Sequence, residues 1–275
     1  MLKNFLYPSV IYFLGTIFSA GLGVFYKSYV VKYLEISYLG LYSLGMSIVS
    51  IVLIFTTLGF RDGLPFFIPK YLSKKQYSRL HKYLQTTFKF NIISIAIFSL
   101  IALSIPNFIL NDLLRAQELE PYLFYFILLL IINSFVSIFI QIINGFQKVQ
   151  KSVIIEKFIC NTFKVFLCIG LVNMGLDFFG FLAAELFAST LAFILLARIV
   201  INQFHKINIP HLYEKSTKAT NFLEKSYSNS MLIKNIFNQL SIHLGTVFVI
   251  FYTDFKQLGI YALIISITSF IPIIL

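Results

Sequence analysis

The stretch LGLYSLGMSIVS at residues 39–50 recurs without gaps as LGIYALIISITS at residues 258–269. Seven of the twelve positions are identical, including a Gly-x-Tyr at the start of each copy. Each copy directly follows a short polar connection and stands at the start of an apolar run. An apolar composition would produce chance identities but would not place a Gly-x-Tyr at the same point of both runs. The offset of 219 residues predicts that the chain begins a second copy of its own opening segment.

Composition places this repeat in a lipid bilayer. Hydrophobic residues make up 58% of the chain and charged residues only 12%, whereas soluble proteins carry roughly 25% charged residues. A helix of about 20 mostly apolar residues crosses a hydrocarbon core of about 30 Å. An eighth such helix begins near Leu258, after seven predicted spans: Tyr7 to Val31, Tyr38 to Gly59, Thr86 to Ser104, Tyr122 to Ile143, Val153 to Met174, Phe178 to Val200 and Ser230 to Tyr252.

The repeat interval holds six of these helices, and an even number gives both copies the same orientation, as in parallel repeats about an axis along the membrane normal. We therefore predict an all-α, polytopic helical membrane protein with a six-helix N-terminal lobe at residues 1–205. A cytoplasmic inter-lobe linker at 206–228 follows, and residues 229–275 contain the first two helices of a truncated second lobe. The complete protein is expected to reach about 420 residues, with about 12 or more helices.

A cleaved signal peptide is the alternative for the first segment, since Ser19-Ala20-Gly21 resembles a cleavage site. The apolar run continues to Val31, which is longer than a signal core.

Charge asymmetry predicts the orientation, because an excess of Lys and Arg marks cytoplasmic loops. The N-terminus is predicted to be cytoplasmic in a multi-pass protein of the cell (inner) membrane. This asymmetry accounts for the net charge of +11 without a nucleic-acid partner. The basic residues follow the second, fourth and sixth helices: Arg61, Lys70, Lys74, Lys75, Arg79, Lys82 and Lys89; Lys148, Lys151 and Lys157; and Arg198, Lys206, Lys215, Lys218 and Lys225.

The longest of these loops, Lys70 to Lys89, spaces Leu72, Leu80 and Leu84 so that they share one helical face. We expect an amphipathic helix on the membrane surface. It would either grip an anionic head group or act only as a positive-inside anchor.

Polar side chains spaced three or four residues apart form stripes on several predicted spans, and residues at that spacing share a helical face. Such stripes suit a shared polar cavity, but they also suit helix–helix packing in lipid. The candidate cavity residues are Lys164 and Asn161, Gln141 and Asn144, Arg61, and Lys234 and Asn238.

Lys164 and Glu185 are the two ionisable groups well inside spans, where such groups usually face the bundle interior. Lys164 could neutralise a pyrophosphate or a sugar acid, or it could form an ion pair with Glu185. Glu185 is the candidate for proton or sodium coupling. Arg61 and Asp62, at the cytoplasmic end of the second helix, could form an inner gate or a local salt bridge.

Enzyme chemistry has no support in the sequence. The four histidines are scattered, and neither a metal-ligand spacing nor a Walker A motif is present. Cys160 and Cys168 are separated by about 12 Å along one helix, beyond disulfide reach, and are expected to be core residues. We predict no enzyme activity, no cofactor and no metal.

The segments VVKYL at 30–34, LGFRDGLP at 58–65, YLS at 71–73 and NGFQK at 144–148, together with the repeated Gly-x-Tyr, occur in an informative order. In this order and spacing the chain resembles the polysaccharide transporter (O-antigen flippase) family of the multidrug/oligosaccharidyl-lipid/polysaccharide exporter superfamily. The resemblance implies two six-helix lobes in a V around a cavity. It also implies flipping of an undecaprenyl-pyrophosphate-linked oligosaccharide, an O-antigen, capsule or exopolysaccharide unit, between leaflets. The implied partners are that lipid-linked oligosaccharide, membrane lipids, a glycan polymerase and a chain-length regulator.

Two other functions remain open from the sequence. A drug or metabolite exporter of the same superfamily would be expected to have a cavity suited to cationic cargo, whereas Lys164, Arg61 and Lys234 favour an anion. A membrane-embedded glycan polymerase or ligase would need a large outer loop with Arg or His. The outer loops here are short and contain no His.

Overall fold

The computed structural model describes residues 2–104, 117–206 and 222–268. In these residues the chain forms ten α-helices, two π-helical segments and one 3₁₀ turn, and no strand. The α-helices are α1 (Leu2–Tyr33), α2 (Ile36–Thr56), α3 (Phe60–Ser73), α4 (Tyr77–Leu103), α5 (Leu123–Gly145), α6 (Val149–Val153), α7 (Asn161–Leu171), α8 (Asp177–Lys206), α9 (Phe222–Tyr252) and α10 (Phe255–Thr268).

Five described segments are long and apolar enough to cross a membrane: Ser9–Tyr33, Ile36–Thr56, Tyr77–Leu103, Glu118–Gly145 and Val149–His205. This finding confirms the predicted all-α polytopic membrane fold. The last segment holds 57 residues and makes two passes, because the chain reverses at Gly175 (φ 83°) and Asp177 (φ 42°) and α8 packs back along α7.

The reversal separates the predicted fifth and sixth spans. The predicted seventh span coincides with most of α9, which is not among the five apolar segments. α1 runs without interruption through Ser19-Ala20-Gly21.

The segment predicted to be a surface helix, Lys70 to Lys89, has a different structure. It is divided between α3 and α4, and the third span begins at Tyr77 rather than Thr86. Leu80 and Leu84 are buried against other helices, so their shared face packs mainly on protein and does not lie flat on a membrane surface. The prediction of an interfacial helix was wrong because a leucine face among basic residues also suits a helical hairpin that closes one end of the bundle.

Two core clusters lie along the bundle. One includes Tyr26, Leu39 and Phe181 and contains Cys168; the other includes Phe67, Tyr83 and Ile143 and contains Cys160. Both cysteines are free and buried, which confirms that they are core residues. The second core includes the α3–α4 hairpin, so it marks the end of the bundle at which the Lys- and Arg-rich connections lie. This end is called the basic side below.

The backbones of α2 and α10, which carry the two copies of the repeat, approach each other closely. A Cβ added to Gly40 would lie 2.0 Å from Phe255 O, and one added to Gly259 would lie 2.1 Å from Ile36 O. The 219-residue offset pairs Gly40 with Gly259 and Ile36 with Phe255, so the contact is reciprocal. Reciprocal contacts of this kind are what a local two-fold axis produces.

The boundaries of the predicted lobes and linker remain predictions. Residues 222–228, assigned to the linker, form the first two turns of α9, and residues 207–221 lie outside the described part of the chain. The repeat is described as far as Thr268.

Candidate functional site

Lys164 and Glu185 form an ion pair between the two antiparallel helices α7 and α8. Lys164 Nζ lies 3.3 Å from Glu185 Oε2, and the two side chains are 18% and 12% exposed. The reversal at Gly175 brings them to the same depth, because Lys164 precedes the turn by 11 residues and Glu185 follows it by 10. The ion pair was one of the two interpretations of Lys164 from the sequence, and the structure contains it.

Two tyrosines from the opening helices complete this cluster. Lys164 Nζ lies 4.8 Å from the ring centroid of Tyr26 in α1, which is a cation–π distance. The Tyr42 hydroxyl of α2 donates a hydrogen bond of 3.0 Å to Glu185 Oε2. Phe181 contacts both tyrosine rings. Tyr26, Tyr42, Lys164 and Glu185 are called the charged cluster below, and four helices converge on it.

The helix that carries Lys164 is irregular at both ends. A π-helical segment at Ile154–Cys160 precedes α7, and Val172–Leu176 after it contains the non-helical Gly175 of the chain reversal. π-Helical segments are rare and often occur at functional sites. Nothing in the residue pattern of the span predicted the one at Ile154–Cys160.

A second set of polar contacts crosses between the two copies of the repeat. The Lys27 ammonium of α1 donates to Ser266 Oγ of α10, and His243 Nδ1 of α9 lies 3.2 Å from Ser47 Oγ of α2. The 219-residue offset pairs Ser47 with Ser266. The serine of each copy is therefore contacted by a side-chain nitrogen from a helix that precedes the other copy. Sequence reasoning gave His243 no role, because a single histidine on a span carries no signal until its neighbour is known.

Arg61 and Asp62 form a local salt bridge of 3.3 Å at the start of α3, one of the two interpretations of that pair. Asn235 of α9 also donates a hydrogen bond of 2.7 Å to Asp62 Oδ2. The buried Nε of Arg61 has no hydrogen-bond partner in the described part of the chain. Asp62 therefore links the start of α3 to α9, while the Nε–H of Arg61 remains a hydrogen-bond donor without a partner among the described residues.

The same two helices make further contacts on the basic side. The Tyr71 hydroxyl is hydrogen bonded to the buried Glu224 carboxylate, and the rings of Phe66 and Phe67 pack on Tyr227. Ser228 Oγ donates to Leu58 O at 2.6 Å. These interactions, with Asp62–Asn235, are called the α3–α9 contact below. Burial and the Glu224 carboxylate raise the pKa of the Tyr71 hydroxyl.

The other predicted cavity residues have local partners or lie apart. Asn161 donates to Ser19 Oγ of α1 at 2.7 Å, and Asn144 lies between Gln141 and Ser152 at the α5–α6 turn. These contacts match the packing interpretation of the polar stripes. Lys234 and Asn238 are exposed on α9. The structure thus joins Lys164 with Glu185 and Arg61 with Asp62, and it leaves the remaining candidates outside the charged cluster.

Within residues 2–104, 117–206 and 222–268, no three His, Cys, Asp or Glu side chains are grouped closely enough to hold a metal ion.

Comparison with known proteins gives one match. A family model described as polysaccharide biosynthesis protein matches residues 5–275. Neither the curated proteins nor the solved structures gave a match. Since the model covers nearly the whole sequence, the chain belongs to the polysaccharide biosynthesis protein family.

Proposed function

We propose that the protein is a flippase that moves an undecaprenyl-pyrophosphate-linked oligosaccharide from the inner to the outer leaflet of the cytoplasmic membrane. The observation that carries the proposal is the charged cluster, a lysine and a glutamate held together where four membrane helices converge. Ionisable side chains inside membrane spans are costly, and those that occur usually mark a substrate or ion pathway. In a family of polysaccharide biosynthesis, an anionic lipid-linked glycan is the cargo that a lysine suits best.

The orientation follows from the charge asymmetry: the basic side faces the cytoplasm and the N-terminus lies there. On this side the partly exposed guanidinium of Arg61 would meet the incoming pyrophosphate, beside Asp62. A glycan polymerase and a chain-length regulator would act on the cargo after it has crossed.

Glu185 would couple transport to an ion gradient. While Glu185 is ionised, Lys164 is paired with it. Binding of a proton to the carboxylate would remove that negative charge, and Lys164 could then pair with the cargo phosphate. Tyr42 would keep the carboxyl group in place in both states, because its hydroxyl can also accept a hydrogen bond.

Alternating access would open and close the α3–α9 contact. Parallel repeats in transporters rock about a central site, exposing it to one side of the membrane and then to the other. While the α3–α9 contact is formed, it would close access from the basic side between these helices.

Complementation tests the proposal. The natural full-length protein is expressed in a strain that lacks its own flippase, and surface glycan and lipid-linked repeat units are measured. We expect the wild type to restore surface glycan, and Lys164→Ala to restore much less while lipid-linked units accumulate. Lys151→Ala, an exposed lysine outside the cluster, is the matched control.

A membrane-inserted wild type that never restores surface glycan with any of several glycan types would overturn the flippase proposal. Equal activity of Lys164→Ala and the wild type would remove the role of the charged cluster. Resistance to cationic drugs without glycan transport would favour the exporter alternative.

A further inference from the structure

A groove of about 640 Å³ runs along the outside of α4. Its apolar lining includes Leu84, Phe88, Ile92 and Ile93 of α4 and Phe204 near the end of α8. Ile92 and Ile93 are 55% and 44% exposed, so the groove opens on the surface of a membrane-spanning helix. Its volume lies in the range of about 300–1,000 Å³ that is typical of small-molecule sites.

The length of the groove corresponds to one leaflet. It extends from Leu80 to Ile93, which at about 1.5 Å per residue is roughly 20 Å along the helix. Half of a hydrocarbon core of about 30 Å is about 15 Å, which leaves about 5 Å of the groove for the head-group level. One phospholipid of one leaflet therefore fits along the groove.

Polar side chains rim the groove toward the basic side. His81, Gln85 and Lys89 lie four residues apart, so they share one face of α4, and all three are exposed. The side chains of His81 and Gln85 are hydrogen bonded at 2.7 Å. Helical side chains lean toward the helix N-terminus, which for α4 is the basic side. The Lys89 ammonium is thereby directed toward the head-group level of that leaflet.

The charge around this rim has one sign. Between residues 63 and 111 the sequence contains no Asp or Glu, whereas Lys and Arg occupy six positions between 70 and 89. An anion at the rim would meet attraction from the whole hairpin and no repulsion from an acidic residue of α4. A zwitterionic head group would gain much less from this surface.

We infer that the groove is a binding site for an anionic phospholipid of the leaflet on the basic side. The acyl chain lies against Phe88, Ile92 and Ile93, and the phosphate lies at the level of Gln85, between His81 and the Lys89 ammonium that is directed toward it. The site is separate from the charged cluster, so it does not depend on the flippase proposal.

Residues 1–275 contain no tryptophan, so a tryptophan introduced there is the only such fluorophore within this sequence and provides a direct test. Ile92→Trp reports on the groove. Ile194→Trp on α8 is the matched control, since Ile92 and Ile194 are 55% and 56% exposed and lie at similar distances from the basic ends of their helices. Each variant is reconstituted in phosphatidylcholine vesicles that contain increasing fractions of phosphatidylglycerol with brominated acyl chains.

We expect half-maximal quenching of the groove tryptophan at a mole fraction of brominated phosphatidylglycerol about fivefold lower than for Ile194→Trp, the factor expected for one basic residue at an anionic surface. Brominated phosphatidylcholine should show no such difference. Adding Lys89→Gln to Ile92→Trp should abolish the preference, and adding Lys151→Gln, an equal loss of charge elsewhere, should preserve it.

Equal quenching at the two positions, or a preference that survives Lys89→Gln, would overturn the inference. Displacement of the brominated phospholipid by an equimolar amount of undecaprenyl pyrophosphate would also overturn it, because the groove would then hold the prenyl chain of the cargo.

Discussion

Replacing Gly40 by alanine should separate α2 from α10. The added Cβ would lie 2.0 Å from Phe255 O, whereas real Cβ atoms essentially never approach another heavy atom closer than 3.0 Å. The two helices must therefore move apart by at least 1.0 Å at this point. The obstacle is a backbone carbonyl, so no side-chain rotation can relieve the clash.

The expected cost follows from overpacking, which destabilises proteins by about 1–3 kcal/mol. For a chain of this size this corresponds to a fall of roughly 2–5 °C in the unfolding temperature. Gly259→Ala should have a similar effect through Ile36 O. The double variant should cost clearly less than the sum of the single variants, because one separation of the helix pair relieves both clashes.

Thermal unfolding of the purified protein in detergent measures these effects. Gly23→Ala and Gly170→Ala are the controls, since a Cβ at either position meets nothing within 4 Å. Both should be neutral or should stabilise by up to about 1 kcal/mol, the usual gain from Gly to Ala in a helix. If the unfolding temperature of Gly40→Ala equals that of these controls, the close reciprocal contact of α2 and α10 does not exist in the protein.

Three further predictions concern buried groups. Glu185→Gln should lower the free energy of unfolding by about 3–5 kcal/mol, because Lys164 loses its ionic partner. The double variant Lys164→Met with Glu185→Leu should lower it much less. Equal unfolding temperatures of the single and the double variant would contradict a buried ion pair. Tyr71→Phe should destabilise by about 1–3 kcal/mol because Glu224 loses a donor, with the exposed Tyr12→Phe as control. The pKa of Tyr71 is raised in the folded state, whereas the unfolded tyrosine ionises at about pH 10. Above this pH the wild type should therefore lose stability more steeply with rising pH than Tyr71→Phe. Parallel profiles of unfolding free energy against pH would refute this. Finally, Cys160 and Cys168 should react with N-ethylmaleimide only after denaturation, and rapid labelling of the native protein would place either thiol at the surface.

The sequence predicted the membrane spans well wherever the length of an apolar run is enough to identify a membrane-crossing helix. Lys164 and Glu185 could be proposed as partners because they lie at equal depth on consecutive antiparallel helices. The repeat indicated that α2 and α10 are equivalent, and the reciprocal glycine contacts then follow from their equivalence. These features depend on period, length and symmetry, which a sequence records directly.

Other parts of the site depend on packing that no local pattern records. Tyr26 and Tyr42 could not be distinguished among 16 tyrosines and 32 phenylalanines, although they complete the charged cluster. The α3–α4 hairpin was missed because its basic residues resemble those of a membrane-surface helix. The partner of Asp62 on α9 is 173 residues away in sequence, and a single asparagine gives no indication of it.

The ion pair of Lys164 and Glu185 also determines how the protein would respond to the membrane potential. A unit charge that crosses the whole potential changes in energy by about 2.3 kcal/mol per 100 mV. A pair with no net charge gains and loses nothing when both of its charges move by the same distance along that field. If the helices rock as proposed, voltage would act on the movement through Lys27 and the anionic cargo, and through Lys164 only while Glu185 is protonated.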